Sequence, residues 1–187
     1  AVGGPGEGGP PIGTKRPVRY QGMTSVWPRL EPLLPKVQKP ARYIGCEDGA
    51  AAKPPDPALV NWCFIYPDTY EIGLPNQGLQ ILYEIVNERP DGTADRAYAP
   101  WGDLEALMRA EGLPLFSVEH HTPGHEFDLL AFNLSAELTY TNLVNCIDLA
   151  GVPVRAADRT EGHPLIVAGG HCTYNPEPLA DFLDAVV

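Results

Sequence analysis

Beyond residue 58 the apolar positions fall into two alternating rhythms. Short, mostly apolar runs occur at 60–66 (Val-Asn-Trp-Cys-Phe-Ile-Tyr), 127–134 (Phe-Asp-Leu-Leu-Ala-Phe-Asn-Leu) and 165–168 (Leu-Ile-Val-Ala). Runs of this length are expected of strands buried on both faces. Between the first two, Leu79, Leu82, Tyr83 and Val86 recur at i, i+3, i+4 and i+7, the spacing of one helix face. Arg89-Pro-Asp-Gly92 stops that helix, and a weaker strand is expected at 94–99. Asp103 then offers an N-cap to a helix carrying Leu104, Leu107 and Met108, with Gly112 at its end. Residues 115–118 read as a short strand or irregular extension, and 127–134 as the central strand. Thr141 is expected to cap a helix whose Leu143, Val144, Ile147 and Ala150 share a face before Gly151, and a last strand opens at 185–187.

Strands alternating with helices imply a doubly wound parallel α/β sheet, with right-handed crossovers and helices on both faces. This domain is expected over 59–187. Residues 1–24 are rich in Gly and Pro without apolar periodicity, so burial cannot offset their ordering entropy, and a disordered tail is expected. Between them, 25–58 read as an extended arm and linker. Trp27, Leu30, Leu33, Leu34 and Val37 supply anchors, while Pro28, Pro32, Pro35 and Pro40 forbid a long helix.

Charge removes some functions. A net charge of −11 lacks the clustered Lys and Arg that phosphate neutralisation needs, so nucleic acid is an unlikely partner. The basic stretch from Lys15 to Arg19 reads as part of the solvated tail. No apolar run reaches the roughly 20 residues of a membrane span. The chain opens on Ala-Val-Gly-Gly-Pro rather than on Met or a secretory signal, so a fragment of a cytoplasmic protein is expected. The four cysteines, Cys46, Cys63, Cys146 and Cys172, form no CxxC and no zinc-ligand spacing, and Cys63 and Cys146 read as buried inert thiols.

The string Tyr66-Pro-Asp-Thr-Tyr-Glu-Ile-Gly-Leu-Pro-Asn-Gln-Gly-Leu-Gln-Ile-Leu-Tyr83 resembles the first βα turn of radical SAM proteins fused to an N-terminal cobalamin-binding-like domain. Three more segments resemble the same family in the same order: Ser25-Val-Trp-Pro-Arg-Leu-Glu-Pro-Leu-Leu-Pro, Lys39-Pro-Ala-Arg-Tyr-Ile-Gly45, and Ala168-Gly-Gly-His-Cys-Thr-Tyr-Asn-Pro-Glu-Pro178. The resemblance implies a flavodoxin-like, Rossmann-like domain preceding a barrel, which is its partner in the same polypeptide or in trans. In that barrel a CxxxCxxC motif holds a [4Fe-4S] cluster that cleaves S-adenosylmethionine. The motif is absent from this sequence, so this chain is not expected to be catalytic alone. Domains that ligate cobalt from below resemble one another in a DxHxxG loop. Here the loop reads Asp68-Thr-Tyr-Glu-Ile-Gly73, without His, so cobalamin, where it binds, is expected to lack a His ligand. Glu119-His-His121-Thr-Pro-Gly124 looks superficially similar, but a polar surface loop explains it as well.

In such a sheet a ligand binds beyond the carboxyl ends of the strands, where the strand order reverses. The turns there are 67–78, 133–141 and 169–175. The cofactor-binding candidates are Asp68, Tyr70, Gly73, Asn76, Gln77 and Gly78 from the first, Ser135, Glu137 and Thr139 from the second, and Gly169, Gly170 and Asn175 from the third. Glycines let the backbone approach a partner, and the amides offer donors and acceptors. The same residues also read as tight turns and helix caps. Asp68 and Glu71 are not assigned as an acid/base pair, since loop carboxylates without a pocket are more often solvated. Two other functional classes stay open, a stand-alone interaction module docking through the apolar arm and, by topology alone, a flavin or nucleotide binder.

Overall fold

The computed structural model describes residues 23–187. The tail expected over 1–24 therefore lies outside the described residues except for Met23, which packs on the core, and Thr24, whose N–H donates to Glu126 at 2.7 Å.

Five strands form one all-parallel sheet: β1 (Val60–Tyr66), β2 (Gly92–Tyr98), β3 (Leu129–Asn133), β4 (Leu165–Gly169) and β5 (Ala185–Val186). Their order is β2-β1-β3-β4-β5, the flavodoxin-like winding, with β3 in the centre as its apolar run implied. The arm contributes the single turn α1 (Trp27–Leu30) and two 3₁₀ turns, Glu31–Lys36 and Pro40–Tyr43, the broken form its prolines dictate. Four further helices follow: the short α2 (Tyr70–Gly73), then α3 (Gln77–Glu88), α4 (Gly102–Glu111) and α5 (Tyr140–Leu149).

Alternation along the strands divides the core. Cys63, Ile65, Leu130, Phe132, Ile166 and Ala168 face one side, where α4, α5 and the arm cover them. Phe64, Tyr66, Ala94 and Tyr98 face the other, against Leu79, Tyr83 and Val86 of α3. Each fully buried aliphatic or aromatic side chain contributes about 1.5–3 kcal/mol. Burial pushes the Cys146 thiol up to about 12 and raises that of Cys63 as well, so both are inert packing groups.

Several local expectations shift. Asp103 lies inside the first turn of α4, not at its cap; Trp101 holds the N-cap, and Asp103 instead accepts the N–H of Gln38 in the arm. Thr139, not Thr141, is the N-cap of α5. Of the two readings of 115–118 the irregular extension holds, with Phe116 in an isolated bridge to Pro123. Between β4 and β5 run 3₁₀ turns, His171–Tyr174 and Glu177–Phe182, in place of a helix. Gly112 ends α4 in the left-handed conformation, φ +61°, as its position implied.

Candidate functional site: the strand-tip rim

The turns after β1, β3 and β4 meet on one rim. Asn76 caps α3 by accepting the N–H of Leu79 at 2.9 Å, and its side-chain oxygen also receives the Asn133 amide at 3.4 Å. The Ser135 hydroxyl donates to Asn133 Oδ1 at 2.6 Å. Gly78 lies against the same pair: a Cβ there would stand 3.4 Å from Asn76 Oδ1 and 3.8 Å from Asn133 Nδ2. Gly169 pairs in register with Asn133, and its carbonyl accepts the N–H of Leu134 at 2.7 Å. The structure thus brings together Asn76, Gly78, Ser135, Gly169 and Gly170. It adds Asn133, whose position at the tip of β3 the sequence reading bounded but did not single out.

The remaining candidates stand apart from this cluster. Gln77 and Glu137 are exposed, and Asn175 is an exposed turn residue whose N–H donates to Cys172. Thr139 is buried, with its hydroxyl on Ala136 O at 2.8 Å, the bond of a helix-initiating turn. Asp68 accepts the N–H of Thr69, while its carbonyl accepts that of Ala99 from the turn after β2. Tyr70 donates its phenol to Glu47 Oε1 at 2.6 Å and sets its ring edge-on to Tyr98, 5.4 Å between centroids. Burial raises that phenol's pKa, and the Glu47 carboxylate raises it further. Gly73 is a packing residue: a Cβ would lie 2.5 Å from the Tyr98 ring. Asp68, Tyr70 and Gly73 therefore belong to a contact between the first turn, β2 and the segment after the arm.

That contact conceals a charged cluster that sequence reasoning missed. Arg96 on β2 is 3% exposed and pairs with Glu119, itself 6% exposed. Its guanidinium also reaches Gln80 Oε1 at 2.9 Å and lies 4.5 Å from the Tyr83 ring centroid, with Glu47 Oε2 at 3.6 Å. Asp95 takes His120 Nδ1 at 3.1 Å. The segment 119–124 is accordingly not a polar surface loop. His121 is buried against Trp27 and Phe116, with Nε2 2.9 Å from Tyr43 O, and burial lowers its pKa, keeping it a neutral donor. Among the described residues no three His, Cys, Asp or Glu side chains are arranged to hold a metal ion. Nor is any described helix long and apolar enough to cross a membrane.

Two comparisons with known proteins bear on the rim. No curated protein matches the chain. A family model described as "Radical SAM proteins, N-terminal" matches residues 78–187, more than half of the sequence. The match opens at Gly78, beside Asn133, and takes in β2 to β5 with the turns after β3 and β4, so the chain belongs to the radical SAM proteins as an N-terminal region of that family.

Proposed function

We propose that this region is the cofactor-binding or substrate-presenting domain of a radical SAM iron–sulfur protein, and that its rim receives a corrinoid without a protein ligand to cobalt. One observation carries the reading: Asn76, Asn133 and Ser135 gather amide and hydroxyl groups beside the side-chain-free backbone of Gly78, Gly169 and Gly170. A corrin ring is edged with carboxamides, for which such groups are matched hydrogen-bonding partners. In the loop sequence Tyr70 occupies the place of the motif's His, and its phenol is committed to Glu47, so that loop would offer a bound corrinoid no imidazole. When bound, a corrinoid supplies alkyl-transfer or radical chemistry. The residues of this chain hold and orient it.

The cluster and S-adenosylmethionine belong to the barrel, the partner in this reading, because the sequence contains no CxxxCxxC. The setting is the reducing cytoplasm, where the unpaired thiols persist, and an excess of 24 acidic over 13 basic residues sets nucleic acid aside.

Anaerobic titration of the chain with methylcobalamin, followed by gel filtration, is expected to leave a corrinoid absorbance band in the protein peak. Replacing Asn133 and Ser135 together by Ala is expected to weaken binding about tenfold, the scale of two hydrogen bonds. A colourless protein peak with an unchanged melting temperature at large corrinoid excess would refute the reading.

A further inference from the structure

The sequence holds two Asp-Gly steps, Asp48-Gly49 and Asp91-Gly92. Such a step is open to imide closure, because a residue without Cβ hinders neither approach to its own nitrogen nor the backbone rotation that brings the preceding carboxyl to it. The fold treats the two differently. The Asp91 carbonyl accepts the N–H of Val60 at 3.0 Å, and Gly92 opens β2 in register with Val60, buried so that a Cβ would lie 3.2 Å from Val86 Cγ1. Both Asp91 carboxylate oxygens are on Arg89 at 2.8 Å, but an exposed pair by itself restrains little. The strand is what holds this step, since the rotation that carries Gly92 N to Asp91 Cγ would pull the start of β2 out of register.

Asp48 and Gly49 lack that restraint. They are the exposed central pair of a turn over 47–50, whose closing bond, Ala50 N–H to Glu47 O, is long at 3.3 Å. Gly49 has φ +80° while Asp48 is not left-handed, the signs of a type II turn. Nothing lies within 4 Å of where a Gly49 Cβ would stand, and no described residue bonds the Asp48 carboxylate or the Gly49 N–H. The turn sits in a short bridge fixed at both ends. Upstream, Gly45 lies so close to the Val118 carbonyl that no side chain would fit. Downstream, the Lys53 N–H donates to Asn87 Oδ1 at 3.3 Å and its Nζ to Arg89 O at 2.6 Å. Within the bridge, Glu47 accepts the Tyr70 phenol at 2.6 Å and brings Oε2 to 3.6 Å from Arg96 Nη2.

We propose that Asp48-Gly49 is a site of spontaneous isoaspartate formation, and that the change withdraws Glu47 from Tyr70 and Arg96. The Gly49 nitrogen bonds to Asp48 Cγ; the carboxyl loses its hydroxyl and the nitrogen its proton, together as water. Water then opens the cyclic imide. Attack at Cγ restores aspartate, whereas attack at the main-chain carbonyl carbon breaks its bond to nitrogen and leaves the chain running through Cγ. No electrons are exchanged, and the mass returns to that of the starting chain. The isomer puts one more carbon into the main chain between Gly45 and Lys53, which are wedged or bonded through their backbones. Glu47, directly beside the change and held only by its side chain, is the residue displaced. The proposal does not rest on the corrinoid reading.

The test is to age the chain for weeks at physiological temperature and neutral pH, then read both steps by peptide mapping with electron-transfer fragmentation, which separates isoaspartate from aspartate at equal mass. Isoaspartate is expected at position 48 and not at 91, and Asp48→Glu, whose imide ring would need one more atom, is expected to suppress it. The aged chain is expected to melt about 2–4 °C lower, the scale of one lost hydrogen bond, while aged Asp48→Glu melts unchanged. Tyr70→Phe, which lacks the phenol, is expected to lose less on ageing although isoaspartate still accumulates. Isoaspartate at 91 as readily as at 48, its absence from 48 in the aged chain, an unchanged melting temperature in a chain that carries it, or an equal fall in Tyr70→Phe would overturn the proposal.

Discussion

Gly170 links β4 to the rim through a backbone that only glycine tolerates well. Its φ is +111°, and a Cβ would lie 2.6 Å from the carbonyl oxygen of Leu134, where the turn after β4 crosses the end of β3. Gly170→Ala is expected to cost about 2 kcal/mol or more, read as a lowered urea midpoint at unchanged m value. Arg96 makes the complementary point about side chains. Its side chain lies buried under α3, and its desolvation is offset because Glu119, Gln80 and the Tyr83 ring converge on it. None of those partners is near it in sequence, so nothing local signals the burial. Tyr70 is similar: its identity as the non-His residue of the first loop is legible, while its commitment to Glu47 depends on 23 intervening residues folding back.

Among the elements, the arm is fastened rather than merely adjacent. Leu30, Leu33, Leu34 and Val37 enter the core, and Arg42 Nε holds both carboxylate oxygens of Glu71 at 2.9 Å while Lys39 Nζ approaches at 3.0 Å. Burial by itself would raise the Glu71 carboxyl, but the bonds from Arg42 and Lys39 outweigh it and lower the pKa from the ordinary 4.5 to about 2. A carboxylate depressed in the folded state contributes stability that is present above its unfolded pKa and lost as pH falls toward the folded one. Stability is therefore expected to decline between about pH 4.5 and 2 partly through this residue, and Glu71→Gln to flatten that part of the curve of urea midpoint against pH. The strands and α3 were readable because a buried parallel strand and an amphipathic helix each impose their own period. Boundaries with competing caps were not: Trp101, extended at φ −68° and ψ 154°, caps α4 in place of Asp103, and a 3₁₀ turn over Glu137–Thr139 runs into α5 so that its cap falls at Thr139 and not Thr141.

For the whole molecule, protection should follow strand order. β1 and β3 lie between partners on both sides, whereas β5 has two exposed residues and one neighbour. Hydrogen exchange is expected to be slowest in β1 and β3 and fastest in β5, as measured by mass spectrometry of peptides spanning 60–66, 129–133 and 183–187; equal protection of all three would contradict this ranking. The apolar periods determined, from sequence alone, that the chain builds an α/β layer with β3 at its centre, and the order of turns determined that its strand tips share a rim. The most specific resemblance, from Tyr66 to Tyr83, lies largely before the matched region, which opens at Gly78. Only the tertiary structure decided which rim residues meet, turning Asp68, Tyr70 and Gly73 toward β2 and setting Asn76, Asn133 and Ser135 together. Periodicity reports whether a side chain will be buried, because burial follows local spacing; which neighbour buries it depends on contacts between distant segments, which spacing does not encode.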